Sequence, residues 1–257
     1  MKYLFFMVIA VFASTAITAQ NKGLEVAKAA ENADVGFESY AVDLKMILKN
    51  ANGQESTREI SSKILEVAND GDKSMITFEN PRDVKGTAML TFSHKTDSDD
   101  QWLFLPSIKR VKRISSSNKS GPFMGSELSY EDLGSQEVEK YTYKYIKEFT
   151  LDGDRVAIIE RYPVDEKSGY SKHIAYYNLD QSYRVEKVEY FDRKGALLKT
   201  MKHLDYKKFK GKYWRPGELY VVNHQSNKET RLVFSNFNFK TKITEEDFTQ
   251  NSLKRAN

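Results

Sequence analysis

Four histidines, His94, His173, His203 and His224, sit singly on different strand-like segments, and their spacing matches no metal-ligand pattern. A lone strand histidine of this kind reads as a surface or packed residue. Gly125-Ser126 looks like a nucleophile turn, but nothing nearby marks a base for Ser126. The chain has no G-x-S-x-G elbow, G-x-G-x-x-G loop or phosphate-binding loop. Glu127, Glu131 and Asp132 cluster on a short helical turn. Such a trio could hold a metal or serve as acid and base, but a solvated helix start is the commoner meaning of the pattern. Catalytic residues, metal ligands and cofactors are therefore not expected, and the sequence does not ask for an enzyme.

The other charged feature is "SIKRVKRISSSNK", where Lys109, Arg110, Lys112 and Arg113 occur with no acidic residue among them. In an exported protein the partners of such a run are anionic headgroups or an acidic protein surface rather than nucleic acid. A charged outer strand that blocks edge pairing has the same appearance. The segment after it, Ser115 to Leu133, is polar at both ends but carries Phe123 and Met124 in the middle, between Gly121 and Gly125. A Phe-Met pair in so loop-like a stretch either pins the loop or covers an apolar mouth. Methionine suits the second role, because its flexible thioether adapts to irregular apolar partners.

Strands must position these residues. "YAVDLKMILKN" alternates, with Tyr40, Val42, Leu44, Met46 and Leu48 on one side and Asp43, Lys45 and Lys49 on the other. That pattern predicts a long half-buried antiparallel strand with Leu44 and Met46 facing inward. More strand-like runs follow at short intervals, separated by turn chemistry at Asp70-Gly71-Asp72, Asp152-Gly153-Asp154, Arg193-Lys194-Gly195 and Lys210-Gly211-Lys212. This hairpin rhythm predicts one extended antiparallel sheet, curled into a barrel or half-barrel. One helix is predicted over "GLEVAKAAENA", and "TEEDF" offers an N-cap with a terminal helical turn. With no cysteine, stability must come from burial, which the 12% aromatic content supplies.

The chain opens with Lys2, an apolar run from Tyr3 to Ala13 and small residues up to Ala19. That is the layout of a secretory signal peptide. The run is about half the ~20 residues a membrane-spanning helix needs. We expect cleavage after Ala19, export to the periplasm, and a single domain over residues 20–257 with no transmembrane segment.

Several motifs together resemble the outer membrane lipoprotein-sorting family, the LolA-like periplasmic carriers. They are Pro81, Lys85-Gly86-Thr87, Trp102, Leu105-Pro106, Arg110, Arg113-Ile114, Phe123-Met124-Gly125-Ser126 and Tyr130-Glu131-Asp132-Leu133. Later pieces agree: "EYFDRKGALLKTM", "GKYWRPGELYV" and "ITEEDFTQNSL". The resemblance runs from about Asn32 to Leu253. It implies a mainly β fold: a single curved antiparallel sheet forming an unclosed half-barrel, with helices or loops covering the concave side. It also implies a cavity for acyl chains of lipoproteins or lipids, with an inner-membrane transporter and an outer-membrane acceptor as partners. We expect a monomer in which Leu44, Met46, Leu90, Phe92, Trp102, Phe104, Phe123 and Met124 contact ligand. Lys109, Arg110, Lys112 and Arg113 are expected to meet headgroups or a partner. A sensor module of the same fold, signalling through protein contacts, and an enzyme acting on envelope lipid or glycan are the competing readings.

Overall fold

A computed structural model of the protein describes residues 19–255. The signal segment expected over residues 1–19 lies, apart from Ala19, outside the described residues. The helix over 19–34, α1, extends the predicted one in both directions and buries Val26 and Ala27.

Fifteen strands follow. They are β1 (Ser39–Lys49), β2 (Glu55–Leu65), β3 (Lys73–Asn80), β4 (Ala88–Phe92), β5 (Asp100–Leu105), β6 (Arg110–Ile114), β7 (Tyr141–Leu151) and β8 (Asp154–Pro163). The rest are β9 (Tyr170–Asn178), β10 (Arg184–Asp192), β11 (Leu197–Leu204), β12 (Lys207–Phe209), β13 (Tyr213–Arg215), β14 (Glu218–Asn223) and β15 (Lys228–Asn238). Thirteen form one sheet, ordered β6-β5-β4-β3-β2-β1-β15-β14-β11-β10-β9-β8-β7. Its pairings are antiparallel, and β6 and β7 do not pair, so the sheet is unclosed. Strands β12 and β13 form a separate hairpin.

The inner face is the one on which residues from both ends of the sheet meet. Met46, Ile60, Phe78, Met89 and Leu103, from β1 to β5, share a single cluster with Tyr143, Ile159, Ala175, Val188 and Met201, from β7 to β11. Only a strongly curved sheet brings such distant strands together. Residues from α1 and from the β6–β7 connection fill the middle of the cluster. The alternation in β1 has the predicted outcome: Val42 and Met46 are buried and Leu44 is partly buried against the inner cluster.

The outer face of β3 to β5 carries a second cluster. Met75, Ala88, Leu90 and Phe104 pack there with Ile243, Phe248 and Leu253 from the C-terminal segment. That segment starts with a capping box, in which the Thr244 and Asp247 side chains bond each other's backbone amides, and ends in α2 (Gln250–Lys254). The sheet's first half is therefore apolar on both faces.

Candidate functional site

The chain leaves the sheet at one free edge, β6, and re-enters at the other, β7, so residues 115–140 must travel from edge to edge. On the way they dip into the inner face. Pro122 and Ser129 form an isolated bridge, and the Phe123 amide donates to the Leu128 carbonyl at 2.7 Å. The loop between them turns through Met124 (φ 49°) and Gly125 (φ 76°). Gly125 supplies the left-handed conformation cheaply. This tight loop drives Phe123 into the core, where it is 1% exposed. Its ring lies 5.8 Å from Phe78 and 5.9 Å from Tyr130. Met124 is partly buried against the same cluster.

Polar groups fasten the loop. Arg58 donates to the Met124 carbonyl. Gln101 Nε2 reaches the Tyr130 carbonyl at 2.8 Å, and Thr230 Oγ1 accepts from the Glu127 amide at 2.9 Å. Asn223 Nδ2 donates to Glu127 Oε2 at 2.6 Å. Lys199 donates both to the Glu127 carbonyl at 2.9 Å and to Asp132 Oδ2 at 2.5 Å. That ion pair is buried, with side chains 3% and 4% exposed. Tyr170 Oη donates to Asp132 Oδ1 at 2.9 Å, while the Ser129 amide caps Asp132 Oδ2 at 2.6 Å.

The carboxylate trio is thus not a solvated helix start. Asp132 and Glu131 point inward from a 3-10 turn (Tyr130–Leu133) because the loop tip has to be tied down. Glu131 accepts from Ser168 Oγ and the Gly169 amide, each at 2.9 Å, and burial raises its pKa. Ser126 Oγ donates to the Phe123 carbonyl at 2.7 Å, so its hydroxyl serves the turn.

Lys199 belongs to a feature that the sequence did not announce. Cross-strand pairing sets Tyr143, Arg161, His173, Tyr190, Lys199 and Asn223 side by side on β7, β8, β9, β10, β11 and β14. The first five are at most 6% exposed. Arg161 has no carboxylate within ion-pair distance among the described residues. Its guanidinium lies 5.2 Å over the Tyr141 ring and 3.4 Å from His173 Nδ1. Burial, with the Arg161 and Lys199 charges, holds the His173 pKa well below its usual value. Burial and Arg161 bring His203 down to about 4. His94 and His224 instead lie toward the surface, hydrogen-bonded to Asp70 and Thr200.

The eight expected ligand contacts divide between the two faces. Leu44, Met46, Phe123 and Met124 join the inner cluster. Leu90, Phe92, Trp102 and Phe104 lie on the other side, in the cluster capped by the C-terminal segment. Register dictates the split: Met89 pairs with Leu103 on the inner side, which turns the Leu90–Trp102 and Ala88–Phe104 pairs outward. The basic residues Lys109, Arg110, Lys112 and Arg113 are exposed on or beside edge strand β6, and Arg113 pairs with Asp100.

Two pockets flank the loop. One of about 310 Å³ lies in the seam between the sheet edges, bordered by Gln101 and Ile114 on one side and Tyr141 and Pro163 on the other. The other, about 440 Å³, separates the loop tip from β9 to β11 and is bordered by Leu128, Tyr170 and Lys199.

An unclosed antiparallel sheet whose inner face is filled by a helix and an edge-to-edge loop defines a LolA-like fold. A family model described as "Uncharacterized protein" matches residues 70–255. No curated protein matches the chain. Among solved structures, an outer membrane lipoprotein-sorting protein domain from Vibrio parahaemolyticus is 49% identical, with a TM-score of 0.89. That match covers 92% of this chain and 100% of the other. A DUF1329 family protein from Desulfovibrio piger is 26% identical over 91% of this chain and 99% of its own, with a TM-score of 0.86. A LolA superfamily protein from Nitrosomonas europaea, 19% identical over 89% and 97%, shares the fold with a TM-score of 0.71. The chain belongs to the outer membrane lipoprotein-sorting, LolA-like family. Among the described residues no helix is long and apolar enough to cross a membrane.

Proposed function

We propose that the protein is a periplasmic carrier. Residues 20–257, after removal of a signal peptide at Ala19, take up acyl chains of lipoproteins or lipids on the inner face and move them toward the outer membrane without catalysis. The observation that carries this reading is the placement of Phe123. A connecting loop, rather than a strand, supplies a fully buried aromatic at the centre of the inner cluster, and polar contacts fasten most of that loop. Withdrawing it would uncover an apolar floor of Leu44, Met46, Ile60, Phe78, Met89 and Leu103. Acyl chains would gain about 0.8 kcal/mol per buried CH₂ there, so the site needs apolar area and no reactive group. Arg161 and Lys199, on the polar half of the same face, suit the headgroup end of an amphiphile. The exposed Lys109, Arg110 and Lys112, on or beside the neighbouring edge strand, suit contact with headgroups, an inner-membrane transporter or an outer-membrane acceptor. Leu90, Phe92, Trp102 and Phe104 fall outside this floor.

The test pairs mass spectrometry of what co-purifies from the periplasm with transfer of that cargo to acceptor vesicles. A Phe123→Ser/Met124→Ser variant should change lipid affinity or handover several-fold, with its lost protection against hydrogen exchange confined to residues 115–133. A protein that carries no lipid, or a variant that loses stability while binding and transfer are unchanged, refutes the carrier with a movable cover.

A further inference from the structure

The β12–β13 hairpin lies outside the main sheet and has no part in the inner face. Its tip turns through Lys210 (φ 48°) and Gly211 (φ 69°), and Lys207, Lys208, Lys210 and Lys212 are exposed around it. One side of the hairpin lays Phe209 on an aromatic plate. The Phe209 ring is 4.8 Å from Phe237 and 5.3 Å from Phe239, and Tyr40 is 5.0 Å from Phe239. These four rings are only half-buried. Val35 and Leu204, near the hairpin in contact or in sequence, are exposed large apolar side chains.

The charged residues of the hairpin and of the adjoining end of β15 are all basic. Residues 206–215 and 231–242 contain no Asp or Glu. Lys210 and Lys212 donate to the carbonyls of Phe37 and Val35. Arg215 is matched by Asp34. Among the described residues, Lys207, Lys208, Lys210, Lys212 and Lys240 have no carboxylate within 4.0 Å. The ammonium groups sit over the rings, Lys210 5.6 Å from Phe239 and Lys208 5.4 Å from Trp214.

We infer that this patch docks the protein on an anionic lipid bilayer. Protein interfaces favour arginine and are depleted in lysine. Flexible lysines around partly exposed rings that include Tyr40 and Trp214 instead suit the bilayer interface, where tyrosine and tryptophan rest at headgroup depth and ammoniums meet lipid phosphates. None of these lysines is neutralised by a carboxylate among the described residues. The hairpin lysines are not part of the inner cluster, so their docking on lipid can be read whichever cargo, if any, the inner face carries.

The test is sedimentation with vesicles of phosphatidylglycerol and phosphatidylcholine in equal parts, against vesicles of phosphatidylcholine alone. Binding should require the anionic lipid, weaken with added salt, and blue-shift the emission of Trp214 in a Trp102→Phe background. Lys207→Glu/Lys208→Glu/Lys210→Glu should weaken binding at least tenfold. The milder Lys207→Gln/Lys208→Gln/Lys210→Gln, expected to fold since these side chains are exposed, should weaken it several-fold. A Lys147→Gln/Lys254→Gln control, at exposed lysines on β7 and α2 outside the patch, should bind as the parent does. Equal binding to both vesicle types, full binding by both triple variants, or the same variants abolishing a dimer of a protein that never binds vesicles would overturn the inference. Cargo transfer measured in parallel reads the carrier function separately.

Discussion

Residues 115–133 and residues 243–253 each lay a phenylalanine on the sheet, Phe123 on the inner face and Phe248 on the outer. Both rings are almost fully buried. The outer cover rests on apolar contact, supported at its rim by the part-exposed pairs Lys63–Asp247 and Lys73–Glu245. Such pairs contribute at most about 1 kcal/mol each. The inner cover is held by directional bonds to Arg58, Gln101, Lys199, Asn223 and Thr230. The difference teaches how each comes off. Apolar contact weakens gradually with area, whereas a buried ion pair is intact or it is solvated. The expectation is therefore two states for the inner cover and an outer cover that behaves as part of the core.

Breaking the ion pair tests this most severely. Lys199→Met leaves the Asp132 carboxylate buried without its cation, which should cost about 3–5 kcal/mol. Amide hydrogen exchange should locate the loss in residues 115–133, with the strands still protected. An Asp132→Asn/Lys199→Met double variant should recover much of it. Loss spread evenly over the sheet would mean that the cover is not a separate unit.

Phe248→Ala probes the other side. Truncation should cost about 3 kcal/mol, measured by denaturant unfolding, and should raise exchange over 243–253 while residues 115–133 stay as protected as before. If both covers loosen together, the contrast between them disappears.

The smallest effect is pH-dependent. His173 packs 4.9 Å from Tyr170, which holds Asp132 in the inner cover. Its folded pKa is below the unfolded value of about 6.5. Its share of stability is therefore fully present above about pH 6.5 and is lost as pH falls. The free energy of opening of residues 115–133, corrected for intrinsic exchange, should fall by about 1–2 kcal/mol toward pH 5, and His173→Gln should flatten the slope. At Asp247 of the outer cover, burial is outweighed by the Lys63 bond and charge together with the Thr244 amide, and the pKa lies below its usual 3.8. That pair should persist through the same range. Asp72 titrates in the opposite sense: burial and nearby carboxylates push it up to about 7, so its contribution is lost as pH rises. Exchange in the cover is accordingly a cleaner measure than global stability.

Much of the fold was legible because β1 has one apolar and one polar side, so period two fixed its register. Strand β4 had no such asymmetry. Ala88, Met89, Leu90 and Thr91 are all buried, because a C-terminal segment more than 150 residues away covers the second face. Alternation vanishes there, so nothing local corrected the expectation that Leu90, Phe92, Trp102 and Phe104 meet ligand beside Met46, whereas they join the outer cluster. The polar row failed for the converse reason. Arg161, His173 and Lys199 each adjoin another polar residue, Glu160, Lys172 and Thr200, as exposed residues do, and what buries them is the loop at Lys199 and tyrosine rings at Arg161 and His173. Only the pairing of six strands places them in line. Thr244 to Phe248 was readable, since a capping box is local; Phe123 was conspicuous as an apolar pair in a polar stretch, but its partners were not.

Strand order also orders the events of folding. From β6 back to β1 each strand pairs with its neighbour in sequence, and from β7 to β15 the order is nearly as local. The exception is the β1–β15 ladder, which pairs Leu44 with Phe234 across most of the chain. Short-range hairpins close fast and long loops close late. Two meanders are therefore expected to form first and to zip together at β1 and β15, while residues 115–140 tether them and keep each half at high local concentration for the other.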